Sequence, residues 1–152
     1  MRLLLVEDDE NKRLRLEDFV QQRFSSLELL SAGSLMSGVR IAQERRPDLV
    51  LLDMTLPNYD VVDGEASGGM HPFGGVEFLK QIKRLKIPAR VVVVTQFETF
   101  GQPPNVKDFD ELDREMRASF SPTYLGAVYY HASLEDWTEK LFDLIELKGG
   151  LT

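Results

Sequence analysis

The sequence predicts an α/β fold, (βα)5, in which five parallel strands alternate with five helices in one doubly wound sheet. Two observations carry this. Five short apolar runs recur along the chain, and the segments between them space their apolar residues roughly 3.6 apart. That alternation implies a parallel sheet covered by helices on both faces, with right-handed crossovers. A chain of 152 residues with 43% hydrophobic residues is enough for one domain with a real core.

The elements follow in order. "RLLLV" (2–6) is continuously apolar, as expected of a strand covered on both sides. Residues 11–24 then carry Leu14, Leu16, Val20 and Phe24 at helical spacing. "LELLSA" (27–32) is the second strand. Residues 34–46 form the second helix, with Ser34 as its cap, Leu35, Val39 and Ala42 on one face, and Pro47 as its stop. "LVLLDM" (49–54) is the third strand, and residues 75–86 place Val76, Leu79, Ile82 and Leu85 on a third helix. "RVVVVT" (90–95) is β-branched almost throughout, the strongest strand signal of the chain. A fourth helix over 106–120 uses Phe109, Leu112 and Met116. "YLGAVYY" (124–130) is the fifth strand. In the last helix Ser133 and Asp136 approximate a capping box. Leu134, Trp137, Leu141, Leu144 and Ile145 form its stripe, and Gly149-Gly150 end it. No effector domain is expected after it.

Composition narrows the function classes. A net charge of −7 argues against a nucleic-acid partner, which needs clustered Lys and Arg. With no cysteine there are no disulfides, thiolate metal sites or Cys nucleophile, which suits a reducing cytoplasm. No apolar run reaches the roughly 18 residues of a membrane span. The start, "MRLLLVEDDE", turns acidic too soon for a signal peptide.

In an open parallel sheet, ligands collect beyond the carboxyl ends of the strands. The first strand ends in Glu7-Asp8-Asp9, the third in Asp53 and the fourth in Thr95. Taken singly, each acid also suits a helix cap. Clustered in one cleft, they repel one another unless a cation neutralises them, and a hard ion such as Mg2+ suits an oxygen-only donor set.

"LLLVEDDE", "LVLLDMTLP" and "VVVVT", in this order, resemble the receiver domain of bacterial two-component response regulators, and the resemblance covers nearly the whole chain. It implies the flavodoxin-like receiver fold with strand order 2-1-3-4-5. It also implies that Asp53 is the phosphoacceptor and Thr95 the switch hydroxyl. Glu7, Asp8, Asp53 and the backbone carbonyl of Thr55 would bind Mg2+. The partners implied are a histidine kinase or phosphotransfer protein and a downstream protein, with no direct nucleic acid and no membrane insertion. The expected role is phosphorelay signalling, not enzyme turnover, in the cytoplasm.

The chain departs from this family pattern in three places. The family carries a Lys just after the fifth strand, but this chain reads "YYHAS" there and has no Lys between Lys107 and Lys140. Tyr130 and His131 occupy that region as possible phosphoryl-contact or switch positions, with Ser133 a further register. Gln96 and Phe97 follow Thr95 where many members have a small residue, and the fourth-helix region, 101–123, is enlarged. The missing Lys supports an alternative, a pseudo-receiver that acts as an interaction module without phosphorylation. A third class, a Mg2+-dependent phosphotransfer or nucleic-acid-cleaving enzyme, would want an Asp-x-Asp that Asp53-Met54-Thr55 lacks.

Between Pro57 and Gly75 lies "NYDVVDGEASGGMHPFG" (58–74), longer than the crossing a receiver needs. Its place beside Asp53 suggests a lid or a partner-recognition loop. Asp60, Asp63 and Glu65 read as solvated loop acids rather than additional metal ligands, and His71 as a loop residue.

Overall fold

The computed structural model describes residues 1–60, 69–133 and 136–148. Five strands, β1 (Arg2–Val6), β2 (Glu28–Ala32), β3 (Leu49–Leu52), β4 (Arg90–Thr95) and β5 (Tyr124–Tyr129), form one sheet. All its pairings are parallel, in the order β2-β1-β3-β4-β5, as the receiver resemblance implies. The helices are α1 (Glu10–Arg23), α2 (Leu35–Arg45), α3 (Gly74–Arg84), α4 (Phe109–Phe120) and α5 (Asp136–Lys148).

Alternation along the central strands splits the core into two layers. Leu4, Val6, Val50, Leu52, Val91 and Val93 face α2, α3 and α4, packing with Phe78, Leu79, Ile82, Leu112 and Met116. Leu3, Leu5, Leu49, Leu51, Val92 and Val94 face α1 and α5, packing with Leu16, Phe19, Trp137, Leu141 and Ile145. Because both faces are covered, these strands read as unbroken apolar runs.

Helix starts follow their caps. The Ser34 side chain accepts from the Ser37 N–H while the Ser37 hydroxyl accepts from the Ser34 N–H, closing a reciprocal box at α2. Asp9 caps α1 and Asp108 caps α4 in the same sense, each accepting from a backbone N–H three residues on. The fourth helix therefore begins at Phe109, not at 106. Lys107–Asp108 pair antiparallel with Thr99–Phe100 instead.

The stripe of α1 also differs from the sequence expectation. Leu14 is exposed, whereas Lys12, Leu16, Phe19 and Val20 are buried. Helical spacing puts position 12 on one face with 16, 19 and 20, so a lysine enters the interior.

A short antiparallel ladder pairs Leu56–Pro57 with Met70–His71. Just past Pro57 the chain is tied to α2: the Met36 N–H donates to the Asn58 carbonyl and the Ser37 hydroxyl to Asp60 Oδ1, at 3.0 and 3.1 Å. Asp63 and Glu65 lie outside the described residues, as does Leu134 of the expected α5 stripe. No helix among the described residues is long and apolar enough to cross a membrane.

Candidate functional site

Strand order decides which residues meet at the carboxyl edge. β1 lies between β2 and β3, and the backbone ladder runs one residue past each strand. The Glu7 N–H donates to the Ala32 carbonyl and the Asp53 N–H to the Val6 carbonyl, both at 3.0 Å. Glu7 and Asp53 thus stand side by side, with Asp8 at the rim. One carboxylate oxygen from each of Glu7, Asp8 and Asp53 lies within 4.8 Å of the others, and no other group of three potential metal-ligating side chains is found among the described residues. Glu7 and Asp53 are buried, while Asp8 is exposed. The fourth acid, Asp9, serves as the α1 cap.

Burial and the Asp53 charge push the Glu7 carboxyl up to about 8, against the pull of Lys12. Asp8, at the rim, is raised as well, first by the desolvation its carboxyl does undergo in the cleft and second by Asp53. Acids held this way are cation-seeking. An all-oxygen donor set of three carboxylates fits a Mg2+ ion, and Glu7, Asp8 and Asp53 are the side chains that would hold it. A cleft of about 470 Å3 opens beside them, lined by Glu7, Asp8, Glu10, Arg13, Asp60 and Met70 among others.

Asp53 is fixed on its helix side. Its Oδ1 accepts from the Met54 N–H at 2.8 Å, and the Met54 carbonyl accepts from the Gly75 N–H at 2.9 Å. A Cβ at Gly75 would lie 2.9 Å from Met54 Cε and 3.0 Å from the Asp53 carbonyl oxygen. Gly75→Ala is therefore expected to push α3 off the Asp53 loop, lowering stability by about 1–3 kcal/mol in chemical denaturation; an unchanged midpoint would show that the loop yields freely. Thr55, two residues past Asp53, is half-buried, with its hydroxyl 3.4 Å from the Pro72 carbonyl.

Thr95 is buried at the end of β4, and its Oγ1 accepts from the Phe97 N–H at 3.2 Å, which leaves the hydroxyl hydrogen free to donate. Gln96 and Phe97 are exposed. Tyr130 is the first residue beyond the Thr95–Tyr129 pair. Its N–H donates to the Thr95 carbonyl at 2.7 Å, and its ring is buried against Trp137. His131 is exposed, with Nδ1 3.0 Å from the Ser133 hydroxyl and its ring beside Tyr129. Tyr129 points outward, edge-on to Phe109.

The structure adds a residue that the sequence reading passed over. Lys12 is buried, with Nζ 2.8 Å from Glu7 Oε2 and 3.3 Å from Asp53 Oδ1, and it donates to the Val94 carbonyl at 2.7 Å. An ammonium therefore does stand in the acidic site, delivered by α1.

A five-stranded sheet in this order with an acidic edge is the receiver architecture. The sequence model of the response regulator receiver domain matches residues 3–107, and the chain belongs to that family. It is a receiver domain of the two-component signalling class. Its relatives include an uncharacterized protein of Sinorhizobium fredii, 36% identical over 138 residues, covering 90% of this chain and 91% of its own. The Detocs response regulatory protein DtcB of Enterobacter cloacae is 27% identical over 147 residues, with 95% and 98% covered. The response regulator domain of Thermotoga maritima CheB superposes with a TM-score of 0.66 at 19% identity, over all of this chain and 98% of its own, which speaks for the fold.

Proposed function

We propose that this receiver takes a phosphoryl group on Asp53 from a histidine kinase or phosphotransfer protein, in the cytoplasm, and signals through protein contacts. The observation that carries this is the meeting of Glu7, Asp8 and Asp53 within 4.8 Å at the strand ends. In this reading an Asp53 carboxylate oxygen attacks phosphorus and a new O–P bond forms. The P–N bond to the donor histidine breaks, its electron pair returns to the imidazole, and the product is an acyl phosphate. Glu7, Asp8, Asp53 and the Thr55 carbonyl would hold Mg2+, which when bound offsets charge on the phosphoryl oxygens. The Thr95 hydroxyl, whose hydrogen is free, donates to a phosphoryl oxygen and so biases the β4–α4 loop. The exposed Tyr129 and Phe97 lie on the face that would read this change; Asp60 and Met70, from the 58–74 stretch, line the cleft and suit that stretch to a partner-recognition role.

A second reading has in its favour the absence of a Lys after β5 and the Lys12 ammonium that already pairs with Asp53, as in an interaction module that needs no phosphoryl group. One experiment separates the two. Incubation with acetyl phosphate and Mg2+ is expected to add the mass of one phosphoryl group, and Asp53→Asn to abolish the addition. A wild type that stays unmodified, with small donors and with a cognate kinase, favours the interaction module.

A further inference from the structure

A fully buried lysine is costly to desolvate and persists only with compensation. Lys12 has that compensation from three directions: Glu7 Oε2, Asp53 Oδ1 and the Val94 carbonyl. Removing it would leave the buried Glu7 and Asp53 carboxylates without their cation, but the packing of α1 does not itself call for a charge. With an apolar residue at position 12, α1 would pack on Leu16, Phe19 and Val20 all the same. The backbone carbonyl of Val94 lies next to Thr95, so the ammonium spans the gap between Asp53 and the end of β4. Tyr130, directly after β5, fills the neighbouring space with a ring whose centroid is 5.8 Å from Nζ. A cation is therefore present at Asp53, but it comes up from the α1 side and not from the β5 loop.

We propose that Lys12 is the phosphoryl-binding cation of this receiver. Its ammonium pairs with the Asp53 carboxylate at rest and moves onto a phosphoryl oxygen once Asp53 is modified, while keeping the Val94 carbonyl. The chemistry suits the task. An ammonium has three N–H donors; at rest one donates to the Val94 carbonyl, and the charge lies 2.8 Å from Glu7 Oε2 and 3.3 Å from Asp53 Oδ1. When the attacking Asp53 oxygen becomes the bridging oxygen of the acyl phosphate, the negative charge resides on the phosphoryl group, and the ammonium that faced Asp53 follows the charge. This rests on the reading of Asp53 as phosphoacceptor and adds the source of the missing counter-charge. Tyr130 then acts as a wall that holds Lys12 in place, with Trp137 behind it at a ring-centroid distance of 5.1 Å.

The test compares wild type, Lys12→Met, Lys12→Met with Tyr130→Lys, and Asp53→Asn. Uptake from acetyl phosphate in Mg2+ is followed by intact-protein mass, and Mg2+ binding by Trp137 fluorescence. Lys12→Met is expected to take up phosphoryl roughly 10- to 100-fold more slowly, the scale of one hydrogen bond to a charged group. It is also expected to bind Mg2+ at lower concentration, because a competing cation has gone. A generally damaged fold would weaken both. Restoring an ammonium through Tyr130→Lys should recover part of the rate. Equal uptake by wild type and Lys12→Met overturns the proposal. Should Lys12→Met not fold, a crystal structure of the wild type with Mg2+ and beryllofluoride decides. Lys12 Nζ within hydrogen-bond distance of a fluorine supports the assignment, and Nζ turned away from it overturns the assignment. A wild type that takes up neither acetyl-phosphate phosphoryl nor beryllofluoride at Asp53 sinks the phosphoacceptor reading itself, and this one with it.

Discussion

Trp137→Ala is expected to lower the free energy of unfolding by about 3–5 kcal/mol, the range for removing a buried aromatic from a packed core. Trp137 is only 2% exposed and is the largest fully buried side chain among the described residues. Its ring meets Phe19 of α1 at 5.7 Å and Tyr130 at 5.1 Å, both tilted. It joins three elements: α5, which carries it, α1, and the segment leaving β5. Truncation opens a cavity that neither helix can fill without moving off the sheet. The indole N–H has no acceptor among the described residues, so Trp137→Phe gives up no hydrogen bond and should keep most of the stability. Urea denaturation of the three proteins checks this. A loss under about 1 kcal/mol for the alanine variant would mean that α5 does not pack as described. The same truncation removes the support behind Tyr130, so disturbance should spread to Lys12 and the acidic site before it reaches α2 or α3 on the other face.

How much of this was legible in the sequence follows from periodicity. "RVVVVT" became β4 with the expected bounds, because β-branched residues in a run admit little else. The Ser34 cap was legible because a hydroxyl ahead of an apolar helix has one common use. The antiparallel pairs at 56–57 with 70–71 and at 99–100 with 107–108 were not, since two residues carry no period. The carboxylates of the site were legible through strand order: Glu7 and Asp53 end adjacent strands, and the parallel ladder aligns them. Lys12 was not. In "ENKRLRLED" a lysine stands among charged residues with nothing to mark it, and the family pattern points to the residues after β5, near Tyr130 and His131. The available signal was register. A helix capped at Asp9 and buried at Leu16, Phe19 and Val20 turns position 12 inward.

That inward lysine also fixes how the site responds to pH and metal. Glu7, Asp53 and Lys12 form a buried group of two carboxylates against one ammonium, so one negative charge lacks a partner. Burial first, and the Asp53 charge after it, raise the Glu7 carboxyl from 4.5 to about 8 against the pull of Lys12, so in the metal-free protein a proton supplies the balance. For an acid whose folded value lies above its unfolded value, the folded state holds the extra proton across that window. Stability is then highest below pH 4.5 for this group, falls as pH rises, and levels off near pH 8. The slope from one such group is at most about 1.4 kcal/mol per pH unit. Asp8, also raised, contributes in the same direction. A divalent ion is the other way to supply the charge, and it requires the proton to leave. The expected result is a metal-free melting temperature that drops between pH 5.5 and pH 8. Millimolar Mg2+ should raise it strongly at pH 8 and only weakly at pH 5.5. Thermal melts at the two pH values, with and without Mg2+, make the comparison. Glu7→Gln, which carries no charge to relieve, should flatten the metal-free pH dependence and blunt the Mg2+ effect. If stabilisation by Mg2+ is as large at pH 5.5 as at pH 8, the proton and the metal do not compete for the same carboxylates. The charge balance drawn from Glu7, Asp53 and Lys12 would then be wrong.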